Sequence, residues 1–521
     1  MKQEILWIDD EVELLKPYTI FLAEKGYEVS TCSNGPDAIQ MVTVHNYDII
    51  FLDENMPGMN GIETLAAILR VRPDAVVVMI TKNEEENIMD MALGHRIADY
   101  LIKPVNPNQI LMTLKKHLHQ KEIVSVQTIE RFQTEFRQLS SEISEHLTIN
   151  EWFDLHRRLT RWDLQLTDQD TGLHEMLHSL MDEADNAFQR YVKVNYEDWI
   201  NNSDNRPLLS MDVFKKRIFP MLDSDIKVFL MVIDNLRYDQ WCLLQNLLSE
   251  SFETLNDELY LSILPSATQY ARNAIFSGLT PLQISQMFPD LWVDEGDEES
   301  KNIHEVELLR TQLDRFRRHD TYFTYNKIRS ANSLDKVFSE MKRSTAPLSV
   351  LVVNFVDMLS HATTDNSMIR ELAANEASFR SLTVDWFRHS GIIDLMQNMG
   401  RLGYRIVITT DHGMTHIDKP IKVIGDRNTS VSLRYKVGKS LNMDKRDMRD
   451  VYEVKRPNSI GLPSPNLSSS YLIATGRSFF AYPNNYNYYV SYYKDTFQHG
   501  GISMNEMIIP FAEIKLKGSS V

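Results

Sequence analysis

Acidic residues follow two apolar runs near the start of the chain. Asp9 and Asp10 come directly after Ile5–Ile8, and Asp53 follows Ile49–Leu52. Because parallel strands end at one edge of a sheet, we expect these carboxylates to lie close together. Carboxylates at close range repel one another, and Mg²⁺ relieves the repulsion because it prefers oxygen ligands and keeps positions open for phosphate. The pattern Asp-x-x-Met-Pro-x-x-x-Gly that begins at Asp53 predicts that this residue accepts a phosphoryl group.

A phosphoryl group on an aspartate also needs donors near its oxygens. Thr81 follows the apolar run Val76–Ile80 and offers a hydroxyl, and Lys103 offers a cation after the run that ends at Ile102. A cis bond before Pro104 would direct Lys103 to the site, since X–Pro bonds adopt the cis form far more often than other peptide bonds. These residues complete a predicted phospho-acceptor site.

A second set of polar residues stands in the C-terminal half. It consists of Asp234, Thr268, Asp357, His361, Asp411, His412 and His499. Asp357 and His361 are four positions apart, so both can face one ion if a helical turn begins there. Gly413, after Asp411-His412, permits a tight exit from the preceding strand. Carboxylates mixed with imidazoles suit Zn²⁺ better than Mg²⁺, and Mn²⁺ is a second candidate.

A hydroxyl nucleophile accompanies these candidate metal ligands. Thr268 stands directly before the predicted helix Gln269–Ser277, where N–H groups and the helix dipole favour an anion. A threonine hydroxyl is a weak nucleophile near neutral pH, and metal coordination activates it. Ser266 is the alternative nucleophile. The set as a whole predicts a metallohydrolase.

The elements that position the first site lie in residues 1–120. Short apolar runs alternate there with helical patterns, which predicts a doubly wound parallel sheet in an α/β fold. The predicted strands are Ile5–Ile8, Val29–Cys32, Ile49–Leu52, Val76–Ile80 and Tyr100–Ile102, with helical patterns such as Val12–Lys25 and Asn87–Leu93 between them.

The remaining residues divide into two further segments. Residues 121–205 carry apolar residues at helical spacing, which predicts two to four packed helices with breaks at Leu147–Trp152 and Leu166–Gly172. Residues 206–521 return to strand–helix alternation. Their predicted strands are Val228–Ile233, Leu348–Phe355 and Arg405–Thr409, their helices include Ala271–Phe276 and Leu382–Met399, and Tyr471–Tyr493 is expected to form strands or loops.

Composition restricts the class of protein. The chain has 521 residues and a formal net charge of -17, and this acidity argues against a broad nucleic-acid-binding face. The two cysteines, Cys32 and Cys242, fit a reducing compartment. No apolar run is long enough to predict membrane insertion, and the start of the chain does not read as a signal peptide. We expect a cytoplasmic protein.

Residues 1–120 resemble a CheY-like response-regulator receiver domain on the ordered set of residues described above. The resemblance implies that Asp53 is the phospho-acceptor. It implies a Mg²⁺ site made by Asp9, Asp10, Asp53 and the main-chain carbonyl of Asn55. It also implies a switch set that couples phosphorylation to the distal face of the domain, made by Thr81, Tyr100 and Lys103.

The C-terminal set resembles that of the alkaline-phosphatase superfamily, and specifically its PglZ-type domain. The resemblance implies one zinc ion held by Asp234, Thr268, Asp411 and His412. It implies a second zinc ion held by Asp357, His361 and His499. The segment around Thr268 resembles the nucleophile helix of nucleotide phosphodiesterases, which makes Thr268 the catalytic residue. Ala271 and Arg272 depart from the Asn-His often found there, and Arg272 is the candidate for contact with a substrate phosphate.

The order of receiver, helical linker and PglZ-type domain resembles the PorX-type response regulators of Bacteroidetes. That family is associated with type IX secretion, a sensor histidine kinase, a sigma factor and components of the secretion motor. It is also associated with zinc-dependent cleavage of oligonucleotides, including cyclic ones. The resemblance implies a phosphodiesterase under receiver control. The alternatives are a phosphomonoesterase or phosphomutase on the same site, and a non-catalytic protein-binding domain. We expect phosphorylation to produce a homodimer, because two-fold dimers are the commonest oligomers.

Overall fold

The computed structural model describes residues 3–81, 97–166, 171–204, 206–294, 301–328, 334–341, 343–373, 375–426, 429–464, 466 and 468–518. The chain forms two compact units, Met1–Glu135 and Phe136–Val521. The predicted helix Asn87–Leu93 lies outside the described residues. No helix within the described ranges is both long enough and apolar enough to cross a membrane.

The first unit contains a five-stranded parallel sheet, as predicted. Its strands are β1 (Glu4–Ile8), β2 (Glu28–Cys32), β3 (Ile49–Asp53), β4 (Val77–Thr81) and β5 (Asp99–Ile102), in the order β2-β1-β3-β4-β5. Its described helices are Lys16–Glu24, Gly35–Val44 and Gly61–Val71, with a 3-10 turn at Val12–Leu15. Alternate residues of β1 face two separate cores, one containing Ile5 and Trp7 and the other Leu6 and Ile8. Burial of β1, β3 and β4 on both faces explains why these strands read as continuous apolar runs.

The loop after β3 is fixed by the start of the following helix. Asn60 caps helix Gly61–Val71 by accepting a hydrogen bond from the Glu63 N–H at 2.8 Å, and Glu63 accepts one in return from the Asn60 N–H at 3.1 Å. A Cβ at Gly61 would collide with the main-chain oxygen of Asp53. The helix can therefore approach the end of β3 this closely because residue 61 is glycine.

Three long helices are described between β5 and the first strand of the second unit in chain order. They are Pro107–Ile143, Ile149–Gln165 and Thr171–Asn201, within the predicted range of two to four. The first predicted break, Leu147–Trp152, was placed too late, because the middle helix already begins at Ile149. Thr148 and Glu151 form a capping box at that point, and this pairing satisfies N–H groups that a helix start leaves open.

The second unit is built on a six-stranded mixed sheet. The strands of this sheet are β6 (Lys227–Ile233), β7 (Phe252–Leu261), β8 (Phe323–Ile328), β9 (Leu348–Val353), β10 (Tyr404–Thr409) and β19 (Ile508–Leu516). Three smaller sheets are formed by β11 (Thr415–Ile417), β12 (Lys419–Ile424), β13 (Tyr435–Lys439), β14 (Asn442–Met443), β15 (Val451–Val454), β16 (Ser469–Ala474), β17 (Ser478–Ala481) and β18 (Thr496–Gln498). The large sheet has the order β7-β19-β10-β6-β9-β8, with β10, β6, β9 and β8 parallel. The smaller sheets are β11-β18, β14-β12-β17 and β13-β16-β15.

Helices cover the large sheet and support its loops. The described α-helices are Phe219–Asp223, Tyr238–Leu248, Thr268–Ser277, Pro281–Met287, Glu305–Arg315, Leu334–Met341, Phe355–Asp365, Ser367–Leu372, Glu376–His389, Ile392–Arg401, Tyr486–Tyr493 and Met504–Met507. Buried residues of β6, β9 and β10, such as Leu230, Val350 and Val407, form the core with the helix that begins at Thr268.

Three predicted elements of this unit were wrong in detail. The predicted strand Leu348–Phe355 ends at Val353, and Phe355 already belongs to the next helix. The predicted helix Leu382–Met399 is two helices, because Gly391 adopts a left-handed backbone with φ 76° between them. The aromatic stretch Tyr471–Tyr493 ends in a helix, in which Tyr488 and Tyr492, four positions apart, stack on one face.

Candidate functional sites

The first site lies at the carboxyl edge of the receiver sheet. Asp9 follows β1 and Asp53 ends β3, and both side chains are buried. One carboxylate oxygen from each of Asp9, Asp10 and Asp53 lies within 4.8 Å of the others. Lys103 follows β5, and its Nζ is 2.9 Å from Asp9 Oδ2 and 2.8 Å from Asp53 Oδ1. The structure thus brings together the acids and the cation that the sequence analysis singled out.

Burial governs the ionisation of this site. It raises the pKa of Asp53, and the hydrogen bond and charge of Lys103 act in the opposite direction without cancelling it. Burial lowers the pKa of Lys103, but its contacts with Asp53 and Asp9 outweigh burial and raise it. Carboxylates gathered in this way fit a hard divalent cation that prefers oxygen ligands.

The other receiver residues occupy different environments. Thr81 ends β4, is buried, and donates a hydrogen bond from its hydroxyl to Glu54. Tyr100 lies on β5 with an exposed side chain, outside the acidic pocket. Asn55 is exposed in the loop after β3. The Lys103–Pro104 bond is cis, as predicted.

The second site lies at the carboxyl edge of the large sheet in the second unit. Asp234 follows β6 directly, Asp411 comes two residues after β10, and Asp357 lies in the helix that follows β9. Thr268 is the first residue of helix Thr268–Ser277, and His499 comes directly after β18. Because β6, β9 and β10 are parallel neighbours, their carboxyl ends place these acids together.

One group of candidate ligands is completely enclosed. Ligand atoms of Asp234, Asp411 and His412 lie within 4.8 Å of one another, and all three residues are buried. Thr268 Oγ1 is 3.0 Å from His412 Nε2 and 3.3 Å from Asp234 Oδ1. Gly413 follows, and a Cβ there would collide with the main-chain oxygen of Asn505, so the predicted need for glycine at this exit has a steric cause.

The other group opens toward solvent. His361 Nε2 is 3.6 Å from Asp357 Oδ2, and His499 Nε2 is 3.5 Å from Asp357 Oδ1. The predicted helical turn after β9 is present as helix Phe355–Asp365, which places Asp357 and His361 on one face. The His361 side chain is 60% exposed. A substrate can therefore approach the site from this side.

The two groups are direct neighbours. The rings of His412 and His499 stack with centroids 4.3 Å apart. Asn235 links the groups, since its side-chain Nδ2 donates to Asp357 Oδ1 and its main-chain N–H donates to Asp411 Oδ1, both at 3.3 Å. Asn235 has φ 67°, a left-handed conformation that is uncommon outside glycine and concentrates at functional sites. Sequence reasoning missed this residue, although it directly follows Asp234.

Burial opposes ionisation of the three carboxylates of the second site. Burial raises the pKa of Asp411, and it raises the pKa of Asp357 to about 6. Burial opposes ionisation of Asp234 as well, but Arg272 and then His412 hold its pKa below the usual range. Within the described part of the chain, the buried Oδ2 of Asp411 has no hydrogen-bond partner. A buried carboxylate oxygen without a partner is costly, so this donor set fits a divalent cation.

The His499 imidazole is in the form that binds metal. Burial, followed by the neighbouring His412 and His361, lowers the pKa of His499 well below its usual value. A neutral imidazole has a lone pair available for a metal ion. Together with the carboxylates, these histidines form a donor set typical of zinc-class sites.

Arg272 occupies an unexpected position. Its guanidinium is buried, with NH1 2.9 Å from Asp234 Oδ2 and Nε 2.8 Å from Glu305 Oε1. Lys327 Nζ also contacts Glu305, at 3.2 Å. The predicted contact with a substrate phosphate stays a prediction, because in this structure Arg272 neutralises carboxylates beside the site. Sequence reasoning missed Glu305 and Lys327, which come from distant parts of the chain and carry no motif.

Ser266, the alternative nucleophile, is directed elsewhere. It is completely buried, and its hydroxyl donates a 2.7 Å hydrogen bond to the main-chain oxygen of Gly501. Thr268, in contrast, contacts two candidate metal ligands. The geometry therefore favours Thr268 over Ser266 as the attacking group.

Comparison with known families assigns three consecutive regions. Residues 213–514, more than half of the chain, match the BREX system PglZ alkaline phosphatase-like domain. Residues 5–115 match the response regulator receiver domain. Residues 122–200 match the PorX response regulator linker domain.

Individual relatives match about a quarter of the chain. The transcriptional regulatory protein SrrA of Staphylococcus aureus is 27% identical over 149 residues, which is 28% of this chain and 61% of the relative. The chain thus spans less than two thirds of the length of these curated relatives. A CheY-like receiver domain from Methanospirillum hungatei has 25% identity and a TM-score of 0.23, covering 23% of this chain and 98% of that structure. The CheX-CheY-BeF3-Mg complex from Borrelia burgdorferi has 27% identity and a TM-score of 0.21, covering 22% of this chain and 87% of that structure.

Proposed function

The chain belongs to the family of PglZ alkaline phosphatase-like domains, joined here to a receiver domain by a PorX-type linker, and from this membership we propose that it is a response regulator whose phosphorylation at Asp53 controls a zinc-dependent phosphodiesterase. Its substrates are oligonucleotides, including cyclic ones. The observation that carries the proposal is the position of Thr268, whose hydroxyl lies 3.0 Å from His412 and 3.3 Å from Asp234, beside the second ligand group.

The reaction follows from this position. Thr268 attacks phosphorus, so that one O–P bond forms while the bond to the leaving alcohol breaks, and the threonine hydroxyl proton ends on that alcohol. Water then cleaves the phosphothreonine and restores the hydroxyl. The N–H groups at the start of helix Thr268–Ser277 stabilise the negative charge on the phosphate oxygens. Zinc bound at the two groups supplies Lewis-acid stabilisation of the same charge.

The two ligand groups would hold the ions separately. We assign one ion to the group formed by Asp234, Thr268, Asp411 and His412 and the other to Asp357, His361 and His499. The mixture of imidazole and carboxylate favours zinc over magnesium. In the receiver pocket, oxygen ligands from Asp9, Asp10, Asp53 and Asn55 favour magnesium.

Tyrosines beside the second group support an oligonucleotide substrate. Tyr492 Oη donates to Asp365 Oδ1 at 3.2 Å, and Asp365 lies one helical turn after His361. Tyr488 stacks nearly parallel on Tyr492, with centroids 6.1 Å apart, and its side chain is exposed. Exposed aromatic rings stack on nucleobases with little dependence on sequence. A monoester without a base gains nothing from this surface.

The decisive experiment compares two chromogenic substrates. Zinc-loaded protein should cleave bis-nitrophenyl phosphate faster than mononitrophenyl phosphate. Thr268→Ala should lose turnover by about a hundredfold or more, whereas Ser266→Ala should be much milder. Faster cleavage of the monoester would instead assign a phosphomonoesterase. Folded protein that takes up no zinc when zinc is offered, and that cleaves neither substrate, would assign a non-catalytic binding domain.

A second comparison tests the substrate class. Tyr488→Ala should raise KM for a short oligonucleotide and leave kcat for bis-nitrophenyl phosphate unchanged, because only the former presents bases to stack. Tyr322→Ala, at another exposed tyrosine in the same unit, is the matched control. Equal KM values of the two variants for the oligonucleotide would show that the aromatic surface does not contribute to substrate binding.

The receiver domain implies a phosphodonor such as a histidine kinase. We propose further that the partners are a sensor histidine kinase, a sigma factor and components of the type IX secretion motor, as in the PorX-type architecture, and that they are met in the cytoplasm. Direct phosphotransfer from such a kinase to the wild-type protein, absent with Asp53→Ala, tests the first partner. If the sigma factor binds phosphorylated and unphosphorylated protein with equal affinity, control through the receiver domain would be contradicted.

A further inference from the structure

A third cluster of metal-ligating residues lies in the helical linker, apart from both sites described above. His174 and His178 are four positions apart on helix Thr171–Asn201, and Asp163 lies near the end of helix Ile149–Gln165. One potential ligand atom from each of the three residues lies within 4.8 Å of the other two. Residues four apart on a helix lie on the same face, so the two histidines and the carboxylate converge from consecutive helices. We propose that Asp163, His174 and His178 form a further divalent-metal site of the zinc class.

The donor set has the chemistry that such an ion requires. Two imidazole nitrogens and one carboxylate oxygen are typical zinc ligands, and water can supply the fourth position. His178 is exposed and His174 is half-buried, so an ion and its water can reach the cluster. Ligand atoms about 2.0 to 2.2 Å from a tetrahedral zinc ion lie roughly 3.4 Å from one another.

The surroundings of Asp163 contain more negative than positive charge. Arg380 NH1 contacts Asp163 and is also 3.0 Å from Asp239 Oδ2. Arg237 NH2 is 2.6 Å from Asp239 Oδ2 and from Glu376 Oε2. Three carboxylates thus face two guanidinium groups, which leaves one negative charge. Pairing of Asp163 with Arg380 therefore does not neutralise this cluster, and the remaining negative charge favours a nearby cation.

Arg380 also has a role that suits a metal site. A carboxylate has two oxygens and about four lone-pair positions, so Asp163 can keep its contact with Arg380 and still bind a metal ion. Outer partners of this kind orient a ligating carboxylate and strengthen the site. Arg380 would hold the Asp163 carboxylate in place beside the two histidines.

The cluster borders a small polar crevice. His178 lines this crevice of about 60 Å³ together with His156, Asp182, Glu376 and His416. His156 is buried, and its Nε2 has no hydrogen-bond partner among the described residues. Burial lowers the pKa of His156 to about 3, so its imidazole is neutral. A cation beside the crevice would meet the acids Asp182 and Glu376, and the positive charge of Arg477, which also lines the crevice, is paired with Asp418 at 2.8 Å.

An ion at this position would fasten the two linker helices to each other. Through Arg380, which lies on helix Glu376–His389, it would also strengthen their attachment to the PglZ domain. The expected role is therefore structural, and it does not depend on the proposed hydrolysis. Neither histidine belongs to the groups that contain Thr268 or His361.

The test measures zinc in a background that lacks the other zinc sites. Full-length protein carrying His361→Ala and His412→Ala is stripped with a chelator, dialysed against zinc and analysed by mass spectrometry for metal content. We expect about one zinc ion per chain, and none after His174→Ala and His178→Ala are added. His146→Ala removes an exposed linker histidine outside the cluster and should leave the zinc content unchanged.

Two outcomes would overturn the proposal. One is equal zinc content with and without the linker histidines, and the other is no zinc in a background protein that is folded by circular dichroism. To separate binding from folding, the variants are compared without metal, where their circular dichroism should coincide. Zinc should then raise the unfolding temperature of the background protein and leave that of the His174→Ala/His178→Ala variant unchanged.

Discussion

Replacing Arg272 by methionine removes a buried positive charge from beside the carboxylates of the second site. The Arg272 side chain is 2% exposed, and its NH1 and Nε atoms lie 2.9 Å from Asp234 and 2.8 Å from Glu305, respectively. Methionine fills the apolar part of the space with a flexible side chain. The change therefore leaves the carboxylates in place and removes their counter-ion.

The expected magnitude follows from what remains around each acid. Breaking a buried ion pair by removing one partner costs about 3 to 5 kcal/mol. Glu305 keeps Lys327 at 3.2 Å, whereas Asp234 is left with His412 at 3.8 Å. Because one of the two acids keeps a cation, we expect a loss of about 3 kcal/mol in the free energy of unfolding of metal-free protein. Bound zinc restores positive charge beside Asp234, so the loss should shrink when zinc is saturating.

Urea unfolding followed by tryptophan fluorescence measures this loss. Six of the seven tryptophans lie in Phe136–Val521, so the signal reports mainly that unit. Arg318→Met is the matched control, because Arg318 pairs with Asp223, whose side chain is 62% exposed. Surface pairs of this kind contribute about 0 to 1 kcal/mol. Equal losses for Arg272→Met and Arg318→Met, or a loss from Arg272→Met that zinc does not reduce, would refute the reasoning.

Three further outcomes are expected. BeF₃⁻ with Mg²⁺ should modify the wild type and leave Asp53→Ala inert, and phosphate labelling that persists in Asp53→Ala would contradict its role as acceptor. The same treatment should shift wild-type protein from monomer to dimer in light scattering, and an unchanged mass would contradict that shift. Burial raises the pKa of Asp185 from 3.8 to about 7, so the folded protein retains a proton that the unfolded chain releases, and stability should fall as pH rises through this window. Asp185→Asn keeps an oxygen to accept the hydrogen bond from the Met504 N–H and should flatten that fall, whereas an unchanged pH profile of urea midpoints would contradict the assignment.

The sequence predicted which acids meet at the second site better than it predicted the surroundings of those acids. Asp234, Asp357 and Asp411 follow buried apolar runs, and the parallel order of β10, β6 and β9 brings the ends of those runs together. That step needs only strand periodicity and the geometry of parallel sheets. The positions of Glu305 and Lys327 depend on how a distant helix and β8 pack against the site, and a local pattern contains no information about such packing.

The predicted boundaries of helices and strands were wrong where a single residue or a single contact determines where an element ends. The break between helices Glu376–His389 and Ile392–Arg401 depends on the left-handed backbone of Gly391, which apolar periodicity alone does not show. The aromatic composition of Tyr471–Tyr493 predicted strands or loops, because tyrosine is common in strands, but Tyr486–Tyr493 forms a helix. Stacking between tyrosines four positions apart instead stabilises a helix. In this segment, stacking between tyrosine side chains outweighs the preference of tyrosine for strands.

The proposed control of hydrolysis requires a physical link between the linker and the candidate ligands, and within the second unit Arg380 contacts acids on both sides of such a link. Its guanidinium contacts Asp163 on a linker helix and Asp239, which lies five residues after Asp234. A displacement of the linker helix would break the first contact and leave Asp239 less constrained. Arg380→Gln imitates this loss and should increase hydrogen exchange at the main-chain N–H groups between Asp234 and Asp239, with a lower kcat. Arg388→Gln is the control on the same helix, since that side chain is exposed and pairs with a neighbouring exposed acid. If exchange in this segment is the same for both variants, the ionic contacts of Arg380 do not connect the linker to the catalytic carboxylates.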